Sequence, residues 1–145
     1  MAKVHVDAEA TARATPAEVW ALVVDATGYP RWGPWNDGGY RSQDDEENEV
    51  GAVRWLRLGR TTTVEKVVEV DPGRRLAYTV VAGIPVRDYR AQVDLEPVPG
   101  GTRIRWAASW DGTILGRMVH RKLRAFYPQM MADLVRAAEE SAPSP

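Results

Sequence analysis

Between Gly39 and Asp111 the chain is cut at short intervals by turn chemistry: Gly59-Arg60, Asp71-Pro72-Gly73, Ile84-Pro85 and Pro99-Gly100-Gly101. Glycine supplies positive φ, and proline fixes φ while removing a backbone donor, so each site is a point of chain reversal. The segments between them read as strands, at about 39–44, 52–58, 61–70, 75–83, 86–98 and 101–111. Parallel neighbours need a crossover of a dozen or more residues, and none fits here, so the strands must form an antiparallel meander. A further strand precedes them. Val4, Val6, Ala8, Ala10, Ala12 and Ala14 alternate with His5, Asp7, Glu9, Thr11 and Arg13. Period two over that length marks a strand with one wet face.

Helices flank the meander. Thr15-Pro16-Ala17-Glu18 has the form of a capping box with proline at the first helical position. It predicts a short helix over 16–24 that buries Val19, Trp20 and Val23. Gly28, Pro30, Gly33 and Pro34 then divide the chain into turns or a second short helix carrying Tyr29, Trp32 and Trp35. From about 114 to 140, Val119, Leu123, Phe126, Met130, Leu134 and Ala137 recur every three to four residues, the signature of one long amphipathic helix. Pro128 lies inside it and predicts a kink. Arg117, His120, Arg121 and Arg124 give its first half a basic face, read as solvated or as docking on the acidic run Asp44 to Glu49. Residues 1–140 thus read as a single domain and 141–145 as a frayed, disordered tail.

Composition removes several function classes. At 145 residues with a formal charge of −1, the chain suits one core and lacks the charge excess of an electrostatic nucleic-acid binder. The absence of cysteine excludes a disulfide scaffold, a thiol nucleophile and thiolate metal sites. Only His5 and His120 remain as imidazole ligands, and their spacing matches no zinc motif, so no metal is expected. No nucleophile elbow and no phosphate-binding or dinucleotide loop occurs, and no cofactor is expected. No apolar run reaches the length of a membrane span and MAKVHVDAE lacks a signal-peptide core, so the expected location is the cytoplasm.

Register can be tested across the turns, because a slip of one residue moves every side chain to the other face. A turn centred on Pro99-Gly100 pairs Leu95 with Ile104, Val93 with Trp106, Ala91 with Ala108 and Tyr89 with Trp110. A turn centred on Ile84-Pro85 sets Tyr89 opposite Val80, Ala91 opposite Tyr78 and Val93 opposite Leu76. A five-residue loop around Asp71-Pro72-Gly73 pairs Val70 with Leu76 and Val68 with Tyr78. All these apolar residues share one face. The same parity brings in Lys66 and Arg87, with Arg57 joining only if Gly59-Arg60 is a two-residue turn, which stays open because Leu56 and Leu58 favour the other face. Cations on a dry face are costly, so they either reach water at the rim or border a hydrated cavity. Ala82, Ala91 and Ala108 leave room for such a cavity opposite the long helix. Trp20, Trp55 and Trp106 read most simply as core, and Trp32, Trp35 and Trp110 as residues near loop ends that close the cavity mouth or stack on a ligand.

This order of elements resembles the START/birch-pollen-allergen-like (SRPBCC) superfamily, and within it the polyketide cyclase/dehydrase and lipid-transport branch. The resemblance is carried by Ala14-Thr-Pro-Ala-Glu-Val-Trp20, Asp25 through Tyr29-Pro-Arg-Trp32, Val68-Val-Glu-Val-Asp-Pro-Gly-Arg-Arg-Leu76 and Gly100-Gly-Thr-Arg-Ile-Arg-Trp106. It implies an α+β helix-grip fold: a curved antiparallel seven-stranded sheet around a long C-terminal helix, with two short helices after the first strand. It further implies a deep apolar cavity holding a hydrophobic, aromatic or polycyclic ligand. In cyclase members an arginine and a tyrosine polarise the substrate, for which Arg87 and Tyr89 are the positional candidates. Lys66, Tyr78, Val80, Ala91, Trp106, Ala108, Trp110, Trp35, Phe126 and Met130 are the candidate ligand contacts. The resemblance leaves a non-catalytic carrier or sensor, a co-chaperone-like interaction domain and a homodimer as alternatives.

Overall fold

A computed structural model describes residues 2–41 and 49–141. Strand β1 (Lys3–Ala12) leads into α1 (Pro16–Val24), a 3-10 turn at Ala26–Gly28 and the one-turn α2 (Tyr29–Trp32). Then come β2 (Asp37–Tyr40), β3 (Val53–Leu58), β4 (Thr61–Asp71), β5 (Arg75–Ala82), β6 (Arg90–Val98) and β7 (Gly101–Asp111). The long helix α3 (Ile114–Ser141) closes the chain. The strands form one antiparallel sheet in the order β1-β7-β6-β5-β4-β3-β2. This is the curved, unclosed sheet and long terminal helix of the helix-grip fold.

Local chemistry starts and stops these elements as the sequence dictates. The Thr15 side chain accepts from the Glu18 N–H, and the Glu18 carboxylate accepts from the Thr15 N–H at 3.1 Å, which completes the capping box. Asp25 ends α1 and caps the 3-10 turn by accepting from the Thr27 N–H. Pro128 lies within α3, which runs unbroken around it. Proline has no amide proton there, so one intrahelical bond is missing.

The core follows the predicted face over most of its length. Leu95 pairs with Ile104, Val93 with Trp106 and Ala91 with Ala108. Leu76 pairs with Val93 and Tyr78 with Ala91. All eight are buried. Two departures matter for function. First, β4 carries irregularities between Val64 and Glu65 and between Val67 and Glu69. Tyr78 therefore faces Val67 rather than Val68, and the interior residues of β4 become Glu65 and Val67 while Lys66 is exposed. An extra residue in one strand reverses the alternation, so the parity carried from Val70 fails beyond the bulge. Second, residues 83–89 are a loop, and β6 begins only at Arg90. Asp88 adopts φ 53°, outside any strand conformation, and its carboxylate pairs with Lys3.

The helix touches the sheet unevenly. It packs on the sheet chiefly at β1 and β7, and also on α1 and α2. Leu134 and Ala138 in its second half are fully buried, whereas Ile114, Leu115 and Met118 in its first half are exposed. The first half therefore stands away from β3, β4 and β5.

Candidate functional site

The space beneath the raised half of α3 is a cavity of about 440 Å³. The sheet contributes Leu56 and Leu58 from β3, Thr63 and Glu65 from β4, and Tyr78 and Val80 from β5. The helix contributes Leu123, Phe126, Tyr127 and Met130 from its inward face. Tyr29 and Trp35 close the inner end, and the exposed Pro85, Leu115, Met118 and Lys122 form a mouth. A cavity of this size and lining suits a small organic ligand.

Aromatic packing fixes the inner end. Trp35 meets Phe126 edge-on at 5.6 Å and Trp32 at 5.2 Å, and tilts against Tyr29 at 5.0 Å. Gly33 makes this possible, because a Cβ there would fall 2.3 Å from the Trp35 ring. Trp106 is buried behind the wall and donates from Nε1 to the Tyr78 hydroxyl at 3.1 Å, which orients that ring. Trp110 stacks on Tyr89 at 5.4 Å and donates to the Gly116 carbonyl at 2.8 Å, tying the start of α3 to the sheet.

One carboxylate belongs to this mostly apolar wall. Glu65 faces Arg54 across the β3–β4 ladder, and Arg54 Nε donates to Glu65 Oε1 at 2.9 Å. Their side chains are 8% and 1% exposed, so the pair is cut off from bulk water. Arg54 Nη1 donates to the Tyr29 hydroxyl at 3.3 Å, and Tyr29 in turn donates to the Val23 carbonyl at 2.6 Å. Among the described residues, the Arg54 Nη2 atom has no hydrogen-bond partner. The guanidinium instead lies over the rings of Tyr78 and Tyr29, at 4.7 and 5.1 Å.

Electrostatics give each group a role at neutral pH. Burial opposes the Arg54 charge, but Tyr29, Glu65 and Tyr78 outweigh it, so the guanidinium stays protonated. Burial lifts Glu65 above the ordinary carboxylate range, and Arg54 offsets only part of that rise. Burial also pushes Tyr29 up to about 12, and raises Tyr78, Tyr89 and Tyr127. These hydroxyls are therefore neutral donors. Among the described residues, the Tyr127 hydroxyl has no hydrogen-bond partner, though Tyr89 adds to the rise that burial causes.

The structure brings six of the predicted contacts to the cavity: Tyr78, Val80, Tyr89, Trp35, Phe126 and Met130. It withholds the others. Ala91, Trp106, Ala108 and Trp110 lie on the buried face but form no part of the cavity wall. Lys66 is exposed on the opposite face because of the β4 bulges. Arg87 is exposed on the 83–89 loop, where only its carbonyl is engaged, by the Asp111 N–H. Trp20 and Trp55, read as core, are only half-buried, while Trp32 is buried. The basic start of α3 is solvated at Arg117, Arg121 and Arg124, and His120 Nε2 lies 2.8 Å from the His5 carbonyl. Its suggested acidic partner falls largely outside the described residues.

Arg54 and Glu65 are the residues that the sequence reading missed. A two-residue turn at Gly59-Arg60 places Leu58 opposite Thr61 and Arg54 opposite Glu65. That turn, with Leu56 and Leu58 inward, was the available signal. The Val67-Val68 doublet also marked the place where alternation breaks.

Among the described residues, no cluster of His, Asp or Glu could hold a metal ion, and no helix is long and apolar enough to cross a membrane. Comparison with known proteins extends these findings. The fold is shared with a Thermobifida fusca protein solved by NMR, at 23% identity, 97% coverage of both chains and a TM-score of 0.77. It is shared with Ara h 8.0201, at 19% identity, coverage of 96% of this chain and 97% of that one, and a TM-score of 0.68. The Aha1 dimer of Colwellia psychrerythraea is also similar, at 17% identity, 94% and 96% coverage and a TM-score of 0.72. No curated protein sequence matches the chain. The family profile described as polyketide cyclase/dehydrase and lipid transport matches residues 3–139, nearly the whole chain. With its helix-grip fold and the cavity under α3, the chain is a member of that family.

Proposed function

We propose that this protein binds a hydrophobic, aromatic or polycyclic small molecule in the cavity beneath α3. The observation that carries this reading is the cavity of about 440 Å³, walled mostly by Leu, Val, Met and aromatic side chains, with Glu65 as its one carboxylate. Flat rings suit the aromatic surfaces of Trp35 and Phe126 better than a flexible chain does. Trp35 is in the wall, so ligand entry changes tryptophan emission. The test is titration with fused-ring aromatics and with a medium-chain fatty acid. Saturable binding of the aromatics is expected, weakened at least tenfold by Val80→Phe, which fills the cavity. Binding that Val80→Phe leaves intact would place the ligand elsewhere and overturn the reading.

The family description favours a second reading, in which the bound molecule is a poly-β-ketone that is cyclised or dehydrated. Tyr89 then supplies a proton in a water-poor site, and the exposed Arg87 takes part only if the 83–89 loop folds inward. Turnover unchanged in both Tyr89→Phe and Arg87→Ala removes that assignment and leaves a carrier or sensor. Sedimentation tests the homodimer and cell fractionation tests a cytoplasmic location.

A further inference from the structure

Glu65 is the one carboxylate in the cavity wall, and its coordination is half complete. Arg54 meets it with one prong, Nε to Oε1, while Nη1 donates to Tyr29 and the guanidinium carbon lies over the Tyr78 ring. A carboxylate accepts at both oxygens. Oε2 has no hydrogen-bond partner among the described residues, and Glu65 is part of the wall. A ligand that fills the cavity displaces water from Oε2. If it offers only hydrocarbon there, the oxygen is left unpaired in a dry site, which is costly.

We infer that Glu65 selects ligands with a neutral hydroxyl, phenolic or enolic, at the buried end of an aromatic body, the hydroxyl donating to Oε2. This rests on the cavity-binding reading above and narrows it. A hydroxyl also accepts, and Tyr78 and Tyr89 supply donors on the same wall: the Tyr78 oxygen already accepts from Trp106 and keeps its own proton to give. Burial holds both phenols neutral, so they act only as donors to the ligand oxygen. An anionic end is repelled by Glu65, and an ammonium cannot accept from the tyrosines. The buried ion pair thereby gains a purpose beyond stability: Arg54 offsets part of the burial that raises Glu65 and so favours its accepting, ionised form.

The test uses the full chain and three probes of one shape: β-naphthol, β-methylnaphthalene and β-naphthoate. On the wild type, β-naphthol is expected to bind about 10-fold or more tightly than either of the others, the scale of a hydrogen bond to a charged group. In Arg54→Met/Glu65→Leu, which removes both charges together, the naphthol-to-methylnaphthalene ratio is expected to fall to near one. Tyr89→Phe should lower it partially. Equal binding of the hydroxyl and methyl probes by wild type overturns the inference while leaving the cavity reading intact. So does a preference that survives in the double variant, or equal binding of the naphthoate. If none of the three binds, the cavity reading itself fails. The wild-type comparison needs no variant to fold.

Discussion

Removing one member of the buried pair should be far more harmful than removing both. In Arg54→Met the aliphatic stem is replaced, but Glu65 is left as a lone carboxylate with 8% of its side chain exposed. The Tyr29 hydroxyl loses its donor, and the rings of Tyr78 and Tyr29 lose a cation at 4.7 and 5.1 Å. Breaking a buried pair in this way costs about 3–5 kcal/mol. Glu65→Leu strands the guanidinium and should cost about as much. Arg54→Met/Glu65→Leu removes both charges and both desolvation penalties, and is expected within about 2 kcal/mol of wild type. The double-mutant cycle then gives a coupling energy of about 4 kcal/mol or more. Urea unfolding followed by tryptophan emission measures all four proteins. A second signature follows from the charge left behind. Without Arg54, Glu65 rises further above its ordinary value, so the native state binds its proton more tightly than the unfolded chain does. The associated stability is present at low pH and is lost as pH rises through that raised value. The deficit of Arg54→Met should therefore shrink as pH is lowered towards it. Additive single-mutant costs, or a deficit below about 1 kcal/mol for Arg54→Met, would refute the account of the pair as a closed, desolvated unit.

Alkaline pH should unfold the protein through its buried phenols. Tyr29 is raised to about 12, so folding favours its neutral form by about 3 kcal/mol, stability that is complete below pH 10 and lost by about pH 12. Tyr78, Tyr89 and Tyr127 act in the same direction. Tyrosinate absorbance should rise together with loss of tryptophan packing, and independent early titration of all these phenols would contradict their burial. Gly101→Ala should be much more destabilising than Gly100→Ala. A Cβ at Gly101 would lie 1.9 Å from the Ala12 carbonyl oxygen, so β1 and β7 must part, whereas at Gly100 there is open space and the cost is the left-handed conformation alone, about 1 kcal/mol. Chemical denaturation of the two variants decides it. Thr15→Ala should remove about 1 kcal/mol by opening the capping box, with Thr15→Ser restoring most of it in the same assay.

Much of this protein was written locally. The cap at Thr15, the turns at Gly59, Gly73 and Gly100, and the period of α3 all act over a few residues, so they could be read from the chain. The pairings of β5, β6 and β7 followed because alternation runs unbroken across those hairpins. From them came the placement of Tyr78 and Val80, and from the period of α3 that of Phe126 and Met130. What alternation could not carry was any residue beyond a break in it. The bulges of β4 exchanged Lys66 for Glu65, and the left-handed Asp88 took Arg87 out of the sheet. The cavity itself is set by which strands α3 touches, and that depends on contacts between residues distant in sequence, such as Trp35 with Phe126 and Trp110 with Tyr89. Arg54 and Glu65 acquire their meaning in the same way. Two opposite charges on adjacent strands are an ordinary surface pair until the aromatic rings of α2, β5 and the approach to β2 close over them and remove the water.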